Sequence, residues 1–143
     1  MVRFLTVASM CALLAQPLAA FAQIPNDAKY GTQWYLEQVD APAAWDTTTG
    51  SNDVIVAVLD TGVDLDHPDL KGNIWVNDDE ESGNNVDDDD NGFVDDVYGW
   101  DFVQGDNTPV PSPSGSEAAV SHGTLIAGII GARGNNAVGV AGV

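Results

Sequence analysis

Cysteine and basic residues are what this chain of 143 residues has least of. Its one cysteine, Cys11, lies in an N-terminal segment that we expect to be removed, so the mature protein would contain none. Disulfides are therefore excluded as a source of stability. An exported protein of this kind must gain stability from a larger core or from a bound metal instead.

The shortage of basic residues excludes a nucleic-acid partner. Four Lys and Arg stand against 22 Asp and Glu, which gives a formal charge of −18, whereas phosphate backbones require basic side chains. Sixteen of the acids fall between Asp60 and Asp106, and such a cluster repels itself unless cations bind in it. Aromatic residues interrupt the acids, which favours a packed segment over a disordered one. These aromatic residues are Trp75, Phe93, Tyr98, Trp100 and Phe102.

The first 22 residues have the pattern of a secretory signal peptide. Arg3 gives a positive start, residues 4–14 are mainly apolar, and Ala20-Phe21-Ala22 offers a small-x-small cleavage site. The apolar run is too short to span a bilayer, although an uncleaved membrane anchor is the alternative. We expect a secreted protein, extracellular or periplasmic, with no stable membrane association after cleavage, and residues 23–143 are enough for one domain.

An apolar run in residues 54–59 leads into an acid and a glycine turn, in the order Val-Ile-Val-Ala-Val-Leu-Asp60-Thr-Gly-Val-Asp64. Such a run predicts a strand buried on both faces, as in a parallel sheet flanked by helices. Asp60 stands at the carboxyl end of this strand, where open α/β sheets place their chemistry. The alternative is that Asp60 only caps the turn with its side chain.

A glycine-rich apolar segment predicts a helix with His122 in its first turn. Ser121 is a good N-cap, and residues 122–132 are apolar or glycine nearly all round, which predicts a buried helix. The positive end of the helix dipole disfavours the protonated imidazole, and a nearby carboxylate opposes this effect and orients the ring. Asp60 and His122 could form such a pair, whereas His67 is interpreted as structural or solvated.

The acidic segment of residues 77–96 contains the first half of a calcium loop of the EF-hand kind, Asp87-Asp-Asp-Asp-Asn-Gly-Phe. In this spacing, oxygens from the first, third, fifth and seventh positions converge on one cation, and the glycine permits the sharp bend. Tyr98 stands where the closing glutamate is usual, so another acid must complete the shell. Oxygen ligands favour Ca²⁺ over zinc or copper. The candidate ligands are Asp87, Asp89, Asn91, the carbonyl of Phe93, Asp95 and Asp96.

Together and in this order, four motifs resemble the N-terminal part of a subtilisin-like serine protease, or subtilase. They are Val-Ala-Val-Leu-Asp60-Thr-Gly-Val-Asp, Asp66-His-Pro-Asp-Leu, His122-Gly-Thr-Leu-Ile-Ala-Gly and Asn136-Ala-Val-Gly-Val-Ala-Gly-Val. The resemblance runs from about Ala43 to the last residue. It implies an α/β fold with a mainly parallel sheet flanked by helices, and Asp-rich insertions that hold calcium also occur in this family.

The resemblance also implies an activity, the hydrolysis of polypeptide substrates by a triad in the chain order Asp, His, Ser. Asp60 matches the family's acid and His122 its base. The family's Gly-Thr-Ser-Met-Ala segment, which carries the nucleophile, has no counterpart in the 143 residues, so we expect this chain to be inactive as given. A fold of this kind usually needs about twice this length, so we also expect its helix and central strand to be uncovered on at least one side.

Two other interpretations remain at this point. Leu59-Asp60-Thr-Gly is also the catalytic triplet of aspartic proteases, but Val63 stands where that family usually has Ser or Thr, and His122 would have no role. The second interpretation is a secreted calcium-binding module without catalysis, in which Asp60 and His122 are structural. A serine motif further along the reading frame would separate this module from a subtilase.

Overall fold

The computed structural model describes residues 24–143, and the expected signal peptide lies outside the described residues. In chain order, a 3-10 helix at Tyr30–Thr32 precedes α1 (Trp34–Gln38), α2 (Ala41–Trp45) and α3 (Glu117–Gly131). Turns, bends and extended segments make up the rest of this part of the chain. None of the helices within residues 24–143 has the length and apolar character needed to cross a membrane.

The small apolar core joins the two ends of the described chain. Leu36 of α1, Ala41 of α2 and Ala141 are buried together, and the rings of Tyr30, Tyr35 and Trp45 pack around them. The buried side chain of Gln33 completes the junction, because its Nε2 donates to the carbonyl of Ala141 at 2.7 Å and its Oε1 accepts from the N–H of Ala141 at 2.8 Å. The two ends are therefore joined by the hydrogen bonds between the Gln33 carboxamide and the Ala141 backbone as well as by apolar contacts.

The central segment, residues 54–59, has no regular secondary structure and no strand partner within the described residues. Within residues 24–143 no strands form a sheet, and one isolated antiparallel bridge joins Asp101 to Asp106. Val54 is 70% exposed and Leu59 is 88% exposed. The prediction of a strand buried on both faces is thus wrong for this structure, because no other extended segment of the described chain lies beside it to accept its hydrogen bonds.

Helix α3 is similarly uncovered. Gly123 is its one buried residue among those described, whereas Leu125 is 63% exposed and Ile129 is 41% exposed. The prediction of a helix buried nearly all round is wrong here. The expectation that a chain of this length leaves its helix and central segment uncovered is confirmed by the same exposures.

The sequence of residues 40–50 predicts a short helix with Asp40 as its cap, Pro42 in its first turn and Gly50 at its C-terminal end, and helix α2 matches these signals only in part. Pro42 lies in the first turn, but Asp40 is in the left-handed region at φ 58° and its side chain makes no cap hydrogen bond. The helix ends at Trp45, so Gly50, at φ 93°, belongs to the following loop and not to the helix end.

Asp69 fixes the loop that follows the central segment. Its side chain is buried, with Oδ1 accepting from Nδ2 of Asn136 at 2.7 Å and Oδ2 accepting from the N–H of Val140 at 2.9 Å. Nδ1 of His67 accepts the N–H of Asp69 at 3.2 Å, which is a structural contact. Since the carbonyl of Asp69 also accepts the N–H of Arg133, this loop is anchored to the chain just beyond α3.

Candidate active site

Asp60 opens the active-site turn, which we define as residues 60–64. The turn lies between α3 and residues 108–111: the N–H of Val63 donates to the carbonyl of Pro109 at 3.0 Å, and Gly62, at φ 102°, faces Val110 so closely that a Cβ there would overlap its backbone. Only glycine combines this backbone angle with this proximity. The turn is therefore held from both sides, with Asp60 at its first position.

The structure brings Asp60 and His122 together. Nδ1 of His122 lies 2.8 Å from Oδ1 and 2.8 Å from Oδ2 of Asp60. The side chain of Asp60 is 13% exposed, whereas that of His122 is 59% exposed. The carboxylate is thus mostly covered, whereas the imidazole extends towards solvent.

His122 does not lie where the sequence predicted it within its helix. Helix α3 begins at Glu117, and its N-cap is Ser116, whose hydroxyl accepts the N–H of Ala119 at 3.3 Å. Ser121 instead donates its hydroxyl proton to the carbonyl of Glu117 at 2.8 Å. His122 is therefore in the second turn of the helix, and its predicted position in the first turn is wrong.

The pKa of Asp60 is lowered from its ordinary value of 3.8. The backbone N–H of Thr61, which donates to Oδ1 at 2.7 Å, is the largest cause, and the hydrogen bond from His122 is the next. These partners favour the carboxylate over the acid. Their stabilising contribution is consequently present above pH 3.8 and is lost as the pH falls through the lowered pKa. Asp60 is ionised at neutral pH.

Two threonines bind the turn to the helix, and the sequence analysis did not identify them. Oγ1 of Thr61 accepts the N–H of Gly123 at 3.2 Å, and Oγ1 of Thr124 accepts the N–H of Asp64 at 3.0 Å. Both residues lie in the Asp-Thr-Gly and His-Gly-Thr motifs. Their motif positions were the available signal, but no periodicity or spacing rule assigns a partner to a single threonine hydroxyl.

The acidic loop, residues 77–96, forms a second cluster of oxygens. Glu80, Asp87 and Asp89 each offer one carboxylate oxygen, and these oxygens all lie within 4.8 Å of one another. Glu80 was missed by the sequence analysis because it lies outside the calcium-loop spacing. Its side chain is buried and accepts the N–H groups of Asp88, Asp89 and Asp95. The loop therefore folds around Glu80.

The other sequence-predicted ligands take different positions in this loop. Asp95 is buried and its carboxylate accepts three backbone N–H groups, from Gly83, Asn84 and Asn85, so both of its oxygens already have partners. Asp87 and Asp89 belong to the cluster itself, and Asn91 contacts Asp89. The carboxamide nitrogen of Asn91 donates to Asp89 and to Asp96, and the oxygen of Asn91 accepts the N–H of Phe93.

The carboxylate oxygens of the acidic loop are suitable ligands for a hard cation. The carboxamide of Asn77 is the largest cause that lowers the pKa of Asp89 from 3.8, and it donates to Asp89 at 3.0 Å. Asp89 is thus ionised at neutral pH, and its stabilising contribution is lost only as the pH falls below 3.8 through the lowered pKa. Carboxylate oxygens this close, with no nitrogen or sulfur ligand among them, fit Ca²⁺.

The comparisons with known proteins concern most of the chain. Residues 51–143 match the profile of the subtilase family, Peptidase_S8, which implies an α/β fold of the subtilisin type. The chain is 40% identical over 121 residues to Subtilisin-like protease 1 of Plasmodium berghei (strain Anka), which is 82% of this chain and 19% of the relative. It is 36% identical over 121 residues to the Halolysin-like extracellular serine protease Nep of Natrialba magadii, which is 85% of this chain and 18% of that protein.

A third relative is the Thermophilic serine proteinase of Bacillus sp. (strain AK1). It is 36% identical to this chain over 123 residues, which is 85% of the chain and 23% of the relative. The chain thus spans less than a quarter of the length of each of these three relatives.

Proposed function

Because this chain belongs to the subtilase family, we propose that it forms the acid and base part of a serine endopeptidase that hydrolyses polypeptides. The contact between Nδ1 of His122 and the carboxylate of Asp60, at 2.8 Å, carries this proposal. Family membership supports the reaction class, since the matched residues 51–143 include both side chains.

We propose a role for each atom of the pair. Asp60 is ionised and accepts the Nδ1 proton, which holds the neutral imidazole in the tautomer whose Nε2 carries a free lone pair. Nε2 then takes the proton of a serine hydroxyl as that oxygen attacks the peptide carbonyl carbon. The same proton passes to the leaving amine when the C–N bond breaks. The negative charge of Asp60 stabilises the imidazolium formed between these steps.

The nucleophile of this reaction is a serine outside the motifs found here. The 143 residues contain no counterpart of the family's Gly-Thr-Ser-Met-Ala segment. Since the groups of a triad act as a unit, the acid and base contribute little rate without the serine. We propose that residues 1–143 by themselves do not hydrolyse peptides. Activity needs the segment that carries the catalytic serine.

A graft tests the assignment of the pair. Residues 51–143 replace the matching segment of the Bacillus sp. (strain AK1) proteinase, and hydrolysis of a peptide substrate is measured. We expect an active chimera that His122→Ala inactivates. His67→Ala is the matched control, because His67 is the chain's only other histidine and contacts the backbone of Asp69. A folded but inactive chimera, or equal losses in both variants, would contradict the proposal.

We further propose that the acidic loop holds Ca²⁺ through Glu80, Asp87 and Asp89. The close approach of their oxygens supports this set, and Asn91, the carbonyl of Phe93 and Asp96 remain candidates from the loop spacing. Asp95 is the least suited of the predicted ligands, since its oxygens already accept three backbone N–H groups. A bound cation would neutralise the mutual repulsion of these carboxylates.

We also propose export of the protein, with residues 1–22 removed as a signal peptide. The sequence pattern of these residues supports export, and one relative is by name an extracellular serine protease. N-terminal sequencing of the protein recovered from the periplasm or the medium checks this, and we expect Gln23 as the first residue. A mature protein that retains Met1 would contradict it.

A further inference from the structure

The active-site turn and helix α3 contact each other through two hydrogen bonds that run in opposite directions. Oγ1 of Thr61 accepts the N–H of Gly123, so here the turn supplies the acceptor. Oγ1 of Thr124 accepts the N–H of Asp64, so here the helix supplies the acceptor. We call this pair of hydrogen bonds the threonine clasp. Each element thus holds one donor and one acceptor of the junction.

The clasp lies directly beside the acid and the base. Thr61 follows Asp60 in the chain, and Thr124 is two residues after His122. Between these contacts the backbones nearly touch, because a Cβ on Gly123 would collide with the carbonyl oxygen of Gly62. A change in either hydrogen bond would therefore alter the distance and the angle between the two side chains.

The contact within the pair is too exposed to fix its own geometry. The side chain of His122 is 59% exposed, so the contact lies beside solvent. An exposed ion pair or hydrogen bond is weak, and holding two side chains in one orientation costs conformational entropy. The orientation must come from contacts that fix the backbones, and the threonine clasp provides two of them.

We propose that Thr61 and Thr124 are positioning residues that hold Asp60 and His122 in contact through the acceptor oxygens of their hydroxyls. This proposal rests on the function proposed above only in its claim that the positioning serves catalysis. The positioning itself is a property of the folded chain and is measurable without a substrate.

The test uses NMR of the full chain with ¹⁵N-labelled histidine. Two histidines give two sets of ring signals, and the Nδ1–H proton of His122 in contact with Asp60 is shifted downfield. We expect Thr124→Val and Thr61→Val each to lower the ratio of hydrogen-bonded to free His122 by about three- to tenfold, as for the loss of one neutral hydrogen bond. Thr124→Ser and Thr61→Ser keep the acceptor oxygen and should retain the wild-type ratio.

Thr48→Val is the matched control, because the hydroxyl of Thr48 also accepts a backbone N–H, that of Gly50 in its own loop. If the Thr61 and Thr124 valine variants behave like this control, the proposal is wrong. If the valine variants do not fold, the serine variants decide: a serine variant that loses the downfield proton overturns the proposal, and one that keeps it supports the hydroxyl as the essential group.

Hydrolysis by the chimera separates failure of this inference from failure of the proposed function. We expect the valine variants to lower kcat and leave KM near that of the parent chimera, with recovery in the serine variants. An inactive chimera in which the NMR ratios follow the expected order contradicts the protease assignment and leaves the positioning role intact. An active chimera with unchanged NMR ratios and unchanged kcat contradicts the positioning role alone.

Discussion

The acidic loop buries charged side chains, whereas the active-site elements leave apolar side chains exposed. In the acidic loop, residues 77–96, the buried side chains of Glu80 and Asp95 each accept three N–H groups from residues of the same loop. In contrast, the central segment and α3 expose apolar side chains such as Leu59 and Leu125. Polar groups can be satisfied by near neighbours, whereas burying an apolar surface needs area supplied by distant parts of a fold. The acidic loop is therefore held by its own hydrogen bonds, whereas the apolar side chains of the central segment and α3 lack cover within the described residues.

The largest effect should come from the contact between Asp60 and His122. Asp60→Asn removes the charge that orients His122 and stabilises its protonated form, and we expect kcat/KM of the chimera to fall by about 10⁴-fold. Asp64→Asn is the control, because the Asp64 side chain caps the N–H of Asp66 and Asn keeps that acceptor. Equal losses in the two variants would show that the turn, and not the pair, determines activity.

Calcium should stabilise the acidic loop by a smaller amount. Calcium at about one hundred times its dissociation constant would add about 2.7 kcal/mol to the free energy of unfolding, and a chelator would remove it. Asp89→Asn should abolish this gain. Asp90→Asn makes the same charge change in the same run of acids, outside the oxygen cluster, and should retain it. A midpoint in urea that does not respond to calcium would mean that the loop is complete without metal.

A substitution at Asp95 tests whether hydrogen bonds between neighbouring residues stabilise the acidic loop. Asp95→Asn replaces one acceptor oxygen by a donor against the N–H groups of residues 83–85, and we expect a cost of about 1–3 kcal/mol. Asn tolerates the left-handed backbone at this position, where φ is 56°, so backbone strain does not confuse the result. Hydrogen exchange of the amides of residues 83–85 should accelerate in this variant and stay slow in Asp78→Asn, which changes an exposed acid.

The smallest effect should come from Leu59, a highly exposed apolar residue of the central segment. Leu59 is 88% exposed, so Leu59→Lys should change the free energy of unfolding of the 143-residue chain by less than about 0.5 kcal/mol. Leu70→Lys is the contrasting variant, because Leu70 is buried and should not tolerate the charge. A large cost at Leu59 in urea unfolding would mean that the central segment is covered in solution, which would remove the contrast between the two regions.

The sequence predicted the contact between Asp60 and His122 more accurately than it predicted the helix and the segment that carry them. Asp60 and His122 stand in motifs whose order is specific, and the structure brings their side chains together. The helix start was misplaced because Ser121 and Ser116 are both good caps. Glu117, an acid directly after Ser116, was the signal for the earlier start, since acids favour the first turn.

The remaining differences come from long-range contacts. An apolar run such as residues 54–59 indicates what a complete fold would bury, but the run itself carries no information on whether its partners are present. Likewise, Glu80 lies outside the spacing of the calcium loop, and only the folded chain brings its oxygen near Asp87 and Asp89. The catalytic role of the pair and the metal ligands remain predictions that the variants above test.

At position 123 the stability of helix α3 and the geometry of the active site favour different residues. Every glycine codon is a single base change from an alanine codon, and alanine is the residue that helices favour most. At this position the added methyl group would strike the carbonyl oxygen of Gly62 and push α3 away from the turn. Selection for a more stable helix and selection for an intact acid–base pair thus act in opposite directions on one small residue.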